Sequence, residues 1–219
     1  MKIYLIPGLA FTDQVFKRIK IPDQELNYLN WIEPLKNESI KSYANRMAAH
    51  IAFDEEEITL IGHSFGGMMA QEIARQKKVA KVILISSIVS EKENPFAFKI
   101  IKPFFIHKMI GKRFFLNTFR FWAKHYGYQT ADEQALFRAM VGQQSDYTLE
   151  WSLKNLSLWK NDPASTPTKI VRIHGTKDYT LPFELTRNID YEIKDGSHIL
   201  VYSQAEMVSD ILKKEILLE

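Results

Sequence analysis

The chain has 219 residues, of which 46% are hydrophobic and 25% charged, and its formal net charge is +3. These values are ordinary for a globular protein and exclude a disordered or fibrous one, while the length fits one domain or one domain with an insertion. Because the sequence has no cysteine, disulfides, thiolate metal sites and a cysteine nucleophile are all excluded.

The positive charge is concentrated in residues 91–161, which carry eleven Lys or Arg against six Asp or Glu. No groove-reading or base-stacking motif accompanies this charge, so we expect no nucleic-acid partner. The apolar run at residues 3–6 is too short for a signal peptide, and no window is long enough to span a membrane. We therefore expect a cytoplasmic protein.

Short runs rich in branched apolar residues predict six β-strands, since their length and composition are typical of strands rather than helices. These runs are residues 2–6, 26–31, 57–61, 81–86, 169–173 and 191–194. Helical patterns separate them, with apolar residues at helical spacing over 40–51 and again over 201–212. Strands that alternate with helices predict an α/β fold, with a mostly parallel six-stranded sheet flanked by helices.

The regular alternation stops after Ser87 and resumes at Lys169. This interval is much longer than a crossover between neighbouring parallel strands requires. We therefore predict a core made of residues 1–90 and 162–219, with residues 91–161 as an insertion.

Helical patterns fill much of this insertion. Thr130 and Glu133 have the spacing of a capping box, in which each side chain accepts from the backbone N–H of the other residue. A helix is therefore predicted over 131–141. A second helical pattern covers 145–159, so the insertion is predicted to be mostly helical.

The third predicted strand leads into Gly62-His63-Ser64-Phe65-Gly66-Gly67, which a helical pattern follows. Gly-x-Ser-x-Gly between a strand and a helix presents a serine hydroxyl on a sharp turn, and the small flanking residues leave room for that turn. Ser64 is therefore the candidate nucleophile, and the alternative is a serine that only caps the helix. The side chain of His63 leaves such a turn in another direction, so we assign it a structural or pocket-lining role.

A serine hydroxyl is a weak nucleophile and needs a base, which a third group must hold in the correct tautomer. His198 follows the last predicted strand after a Gly-Ser turn, and we identify it as the base; the alternative is a histidine on a surface loop. Asp178 follows the fifth predicted strand and is the candidate acid. Asp195, three residues before His198, is its rival, but Asp and Gly are also common in turns for local reasons.

Acyl transfer also requires backbone N–H groups directed at the developing oxyanion. Phe65 supplies one of them by its position after the serine. The second is expected from the loop at residues 7–11, where Gly8 lets the backbone approach closely. We select Leu9 for this role, with Ala10 as the alternative.

These motifs together resemble the α/β-hydrolase superfamily over nearly the whole chain. They are Pro7-Gly8-Leu9, the run around Ser64, Gly175-Thr176-Lys177-Asp178 and Gly196-Ser197-His198. The resemblance implies an α/β-hydrolase fold, a triad of Ser64, Asp178 and His198, and a helical cap where the insertion falls. The chain departs from the family in starting without its usual hairpin and in having Pro7 where a histidine commonly precedes the glycine.

Residues 94–128 contain eleven aromatic and seven basic side chains and no Asp or Glu. This composition predicts an apolar, positively rimmed cover over a pocket. The expected pocket-lining residues are Phe11, His63, Phe104, Phe119 and Trp122. An anionic part of the substrate is expected to be attracted by one or more of Lys99, Lys102, Lys112, Arg113 and Arg120. The alternative is that the aromatic residues only pack the cap against the sheet and the basic residues face solvent.

The residues and the resemblance predict a serine hydrolase that cleaves a small to medium, hydrophobic carboxylic ester or thioester through an acyl-enzyme on Ser64. The alternatives are a ligand- or lipid-binding receptor without hydrolytic activity and a carbon–carbon bond hydrolase. We expect no metal or cofactor, because zinc-type histidine spacing and Gly-rich phosphate loops are missing. The basic and aromatic composition of the cap also predicts weak contact with a membrane surface. The sequence leaves the oligomeric state open.

Overall fold

The computed structural model describes residues 1–53, 57–166 and 168–217. Within these ranges one sheet contains β1 (Lys2–Ile6), β2 (Leu26–Tyr28), β3 (Ile58–His63), β4 (Lys81–Ile85), β5 (Lys169–Gly175) and β6 (Tyr191–Ile193). The strand order is β2-β1-β3-β4-β5-β6, and every neighbouring pair is parallel. The predicted six-stranded α/β fold is confirmed.

Eight α-helices lie in the described part of the chain. They are α1 (Ile40–Ala48), α2 (Phe65–Ala74), α3 (Phe96–Lys99), α4 (Lys112–Trp122), α5 (Ala131–Gln143), α6 (Asp146–Leu158), α7 (Leu200–Ser203) and α8 (Ala205–Leu217). None of the described helices combines the length and the apolar character needed to cross a membrane.

Alternate residues of β1 separate two hydrophobic cores. Ile3 and Leu5 pack in the cluster that includes α8, whereas Tyr4 and Ile6 pack in the cluster that includes α1 and α2. Successive side chains of a strand point to opposite faces, so helices cover both faces of this sheet. The carboxyl ends of the central strands consequently remain as the open edge at which loops meet.

Helices α3 to α6 follow β4 in the chain and precede β5, where the insertion was predicted. At the start of α5, Thr130 Oγ1 accepts from the Glu133 N–H at 3.2 Å, and Glu133 Oε2 accepts from the Thr130 N–H at 2.8 Å. At α6, the Trp151 indole belongs to the core cluster of α1 and α2 and donates to the Glu38 carbonyl. Packing of α6 therefore anchors the proposed cap to the core.

Two glycines permit the tight turn between β3 and α2. A Cβ at Gly66 would lie 2.2 Å from the carbonyl oxygen of Ile6, and one at Gly62 would lie 2.4 Å from the Cα of Gly67. Between them Ser64 has φ 53° and ψ −124°, a strained conformation for a non-glycine residue. The turn therefore depends on close contact between its backbone and that of β1.

We expect Gly66→Ala to destabilise the protein by about 3 kcal/mol, because the β1 backbone must move to admit a methyl group. Gly142→Ala in α5 is the matched control, since no described atom beyond its own helical backbone and its chain neighbours lies within 4 Å of the new Cβ. That variant should gain about 0.5–1 kcal/mol from the lower helix propensity of glycine. Urea unfolding measures both changes, and a Gly66→Ala protein as stable as the wild type would contradict this packing.

Candidate active site

The loops after β3, β5 and β6 bring three polar side chains together at the carboxyl edge of the sheet. His198 Nε2 lies 2.9 Å from Ser64 Oγ, and His198 Nδ1 lies 2.8 Å from Asp178 Oδ2. An Nδ1–H that donates to the carboxylate leaves the Nε2 lone pair directed at the serine hydroxyl. The three residues selected from the sequence thus form one continuous hydrogen-bonded chain, and all three are buried.

The backbone around Ser64 is held on two sides. Its N–H donates to the Ile85 carbonyl at 2.9 Å, and its carbonyl accepts from Ser87 Oγ at 2.7 Å. These bonds attach the turn to the end of β4 and maintain its strained dihedral angles. The Ser64 side chain makes no capping hydrogen bond to α2, so its hydroxyl remains available to His198.

The Asp178 carboxylate is fixed by its own loop. Its Oδ1 accepts from the backbone N–H groups of Thr180 and Leu181, each at 2.9 Å. Burial raises the pKa of this carboxyl, but the charge and hydrogen bond of His198, the charge of His174 and the Leu181 N–H together lower it by more, so the pKa lies below its usual range. The carboxylate is therefore ionised and able to orient the His198 ring.

Asp195, the rival acid, lies elsewhere. Its Oδ1 pairs with Lys177 Nζ at 2.8 Å, and both side chains are exposed. This salt bridge lowers the pKa of Asp195 through its hydrogen bond and charge. Although Asp195 is close to His198 in the sequence, its carboxylate therefore binds Lys177 and not the His198 ring.

His63 lies behind the His198 loop and does not line the cavity above Ser64. Its Nε2–H donates to the His198 carbonyl at 2.8 Å, and its ring stacks on Phe11 with centroids 5.4 Å apart. Burial, followed by the charge of His198, lowers the pKa of His63 to about 3, so the ring is neutral. Of the two roles expected for His63, the geometry corresponds to the structural one.

The loop after β1 is oriented by an indole. The Gly8 carbonyl accepts from Trp31 Nε1 at 2.9 Å. Because the peptide bond is trans, the N–H of Leu9 points in the opposite direction. Leu9 and Phe65 both line the cavity that contains Ser64, and neither backbone N–H has a hydrogen-bond acceptor within the described ranges. Both N–H groups are therefore free to bind an oxyanion.

A cavity of about 430 Å³ opens above Ser64 and His198. Its walls come from both the core and the insertion, and none of the described residues that line it is Asp, Glu, Lys or Arg. The core contributes Phe11, Thr180 and Leu181 among others. The insertion contributes, among others, Ala97, Phe98, Ile101, Ile110, Phe114, Phe115, Trp122, Tyr126, Tyr128 and Phe137. Phe11 and Trp122 are thus two of the five residues selected for the pocket.

Two other selected aromatics lie outside this cavity. Phe104 is exposed, and it immediately precedes Phe105, whose backbone is left-handed (φ 55°). Phe119 is buried inside the insertion, where its ring stacks on Phe137 at 4.4 Å. It supports the cavity wall from behind.

The basic residues selected for an anionic substrate also lie outside the cavity lining. They are Lys99, Lys102, Lys112, Arg113 and Arg120. Sequence reasoning missed Phe115, which the helical spacing of α4 relates to Trp122 seven residues later. It also missed Tyr126 and Tyr128, for which the sequence carries no comparable signal because they follow the helix.

Comparison with known proteins supports the same architecture. The model of the alpha/beta hydrolase family matches residues 29–211. A search of curated proteins finds no match.

Several solved structures share the fold at low sequence identity. MenH from S. aureus is 16% identical with a TM-score of 0.74, covering 100% of this chain and 95% of its own. A lipase-esterase related protein from Clostridium acetobutylicum is 15% identical with a TM-score of 0.72, covering 97% and 93%. An esterase from Exiguobacterium antarcticum is 15% identical with a TM-score of 0.70, covering 99% and 92%. Since the family model spans most of the sequence and the sheet has the same architecture, this chain belongs to the alpha/beta hydrolase family.

Proposed function

We propose that this hydrolase cleaves a small to medium, uncharged and hydrophobic carboxylic ester or thioester through an acyl-enzyme on Ser64. The observation that carries the proposal is the hydrogen-bonded chain of Ser64, His198 and Asp178 at the floor of an apolar cavity. An esterase and a lipase-esterase related protein among the structures of similar fold support a small-molecule ester as substrate.

In the proposed reaction, Ser64 Oγ attacks the substrate carbonyl carbon while His198 Nε2 takes the hydroxyl proton. The carbonyl oxygen becomes an oxyanion, which accepts from the N–H groups of Leu9 and Phe65. Asp178 stabilises the imidazolium that forms. His198 then protonates the departing alkoxide or thiolate as its bond to carbon breaks, and water repeats the sequence to release the acid and restore Ser64.

The cavity lining argues for an uncharged substrate. A carboxylate moved from water into this cavity loses its hydration, and among the described residues no Lys or Arg side chain lines the walls to replace it. The basic residues of the insertion therefore do not supply the anion site expected from composition. The volume of about 430 Å³ lies within the range of small-molecule pockets.

We also propose that His63 positions His198 rather than taking part in proton transfer. Its Nε2–H holds the His198 carbonyl, so the loop bearing the base is attached to the turn bearing the nucleophile. A neutral ring suits this role, because a second positive charge beside His198 would oppose formation of the imidazolium.

We expect Ser64→Ala to abolish labelling by a fluorescent fluorophosphonate, because the reagent requires an activated serine. Asp178→Asn should slow labelling by about 10⁴-fold, since His198 then loses the carboxylate that sets its tautomer. Asp195→Asn is the matched control and should label as the wild type does. Unlabelled, well-folded wild type or labelled Ser64→Ala would each refute the proposed chemistry.

We expect His63 to make the protein sensitive to acid. Between pH about 6.5 and about 3 the unfolded chain binds a proton at His63 and the folded protein does not. The contribution of neutral His63 to the free energy of unfolding is therefore fully present above pH about 6.5. It falls as pH decreases and is smaller by about 2 kcal/mol at pH 5. His63→Phe keeps the ring and removes the titration.

Urea unfolding at pH 7.5 and pH 5 measures this effect, with His50→Phe at an exposed position as the control. His50→Phe should retain the wild-type loss of stability between the two pH values, whereas His63→Phe should lose about 2 kcal/mol less than the wild type. Equal losses in all three proteins would mean that His63 titrates normally.

We expect Ala97→Trp to shorten the acyl chains that the enzyme accepts, because Ala97 is exposed yet lines the cavity. In an assay with p-nitrophenyl esters of graded length, kcat/KM for the longest good substrates should fall by about tenfold or more. Ala131→Trp, on the exposed first residue of α5, is the control and should leave the length profile unchanged. An unchanged profile in Ala97→Trp would place the acyl chain elsewhere.

A further inference from the structure

The insertion carries the most exposed large apolar side chains of the described residues. Five of them are between 57% and 76% exposed: Phe96, Phe104, Phe105, Met109 and Phe121. Single exposed apolar residues are common on protein surfaces, but a concentration of them in one segment indicates an interaction site. We call these five residues, together with Phe114, the cap face.

Basic side chains lie against the aromatic rings of the cap face. Lys102 Nζ and Lys108 Nζ are 5.3 and 5.6 Å from the centroid of the Phe105 ring, and Arg120 Cζ is 4.6 Å from that of Phe121. No Asp or Glu occurs between residues 94 and 128. The same surface therefore presents apolar rings and positive charge side by side.

Helix α4 presents one side of this surface. Four of its exposed residues recur at the spacing of one helical face, which exposed Lys124 continues beyond the end of the helix. They are Arg113, Phe114, Arg120 and Phe121. The opposite side of α4 faces the cavity and the interior of the insertion. The exposed side of α4 is thus itself apolar and basic, the combination found on helices that lie in a membrane interface.

Acidic groups from another element mark an edge of the cap face. Asp146 and Glu150 of α6 line a surface cavity together with Met109, Arg113 and Phe114. Asp146 Oδ1 accepts from the Lys112 N–H at 2.6 Å, so one of these two carboxylates already has a hydrogen-bond donor from the protein. The positive character of the face is therefore carried by α4 and by the segment that precedes it, and it is reduced at the edge where Asp146 and Glu150 of α6 lie.

Phe114 connects the cap face with the cavity above Ser64. It is 45% exposed and also lines that cavity. Ala97, next to Phe96, is likewise both exposed and part of the cavity lining. The cap face therefore borders the cavity at Phe114 and near Ala97.

We propose that the cap face binds the surface of an anionic lipid bilayer. Its rings would lie at the boundary between headgroups and acyl chains, and the Lys and Arg side chains beside these rings would contact the lipid phosphates. An acidic protein surface matches the charge but offers no apolar layer for five highly exposed apolar side chains, whereas an anionic bilayer supplies both. Binding itself is independent of the proposed hydrolysis, although it would place the cavity entrance beside a source of apolar esters.

Sedimentation of the intact protein with lipid vesicles tests this proposal. We expect binding to vesicles of phosphatidylcholine with phosphatidylglycerol, and weak or no binding to phosphatidylcholine alone. Raising the salt to about 1 M, where the Debye length is about 3 Å, should weaken binding strongly.

Two variants separate the contributions of charge and apolar surface. Lys102→Gln with Lys108→Gln should weaken binding by about fivefold for each charge removed, the equivalent of about 1 kcal/mol per basic residue. Phe104→Ser with Phe121→Ser should weaken it by about tenfold or more. The control is Met207→Ser with Lys213→Gln on α8, where an exposed apolar and an exposed basic residue are removed without touching the cap face. Circular dichroism confirms that each variant is folded.

Three outcomes would overturn the proposal. The wild type could fail to sediment with anionic vesicles, or the α8 variant could lose as much binding as the cap-face variants. Loss in the lysine variant alone would indicate an electrostatic surface for an acidic protein. Ser64→Ala should sediment like the wild type, so a protein that binds vesicles without fluorophosphonate labelling would retain this inference and lose the proposed hydrolase activity.

Discussion

The close contact between the β3–α2 turn and β1 is the constraint on which the site depends. Gly66 must approach the Ile6 carbonyl at a distance that no side chain permits, and this contact requires β1 and β3 to be neighbours in a parallel sheet. Hydrogen bonds from Ser64 to Ile85 and from Ser87 to Ser64 attach the same turn to the end of β4. Three strands therefore hold one serine in a conformation that is strained in isolation.

The strands and this turn could be predicted from the sequence because their signals are local. Short branched apolar runs and glycines two residues before and after a serine carry their structural meaning within a few positions. The strand ends were less accurate. The second strand was predicted to run to Trp31, but it ends at Tyr28, and the Trp31 indole donates to the Gly8 carbonyl. The third continues past Ile61 to His63, so the strand itself delivers the chain to the nucleophile.

The cavity walls could not be assigned from the sequence, because many aromatic residues in the insertion are equivalent by composition. Their placement depends on how α4 packs on α5, where Phe119 stacks on Phe137 and is thereby withdrawn from the cavity. Phe104, which precedes the left-handed residue Phe105, is instead exposed to solvent. Composition predicted an aromatic cover, and tertiary packing decided which rings belong to its inner surface.

Helix α4 has an apolar side that faces the cavity above Ser64 and a basic side that faces solvent. Its inner side brings Phe115 and Trp122 to the cavity, and its outer side carries Arg113 and Arg120. In an apolar surrounding, the hydrogen bond between serine and histidine and those from backbone N–H groups to an oxyanion are stronger than in water. A cationic side chain within the cavity would oppose protonation of His198 and so work against its role as a base. An uncharged interior therefore favours the proposed chemistry, and the positive charge of α4 lies on the surface that we propose meets anionic lipid.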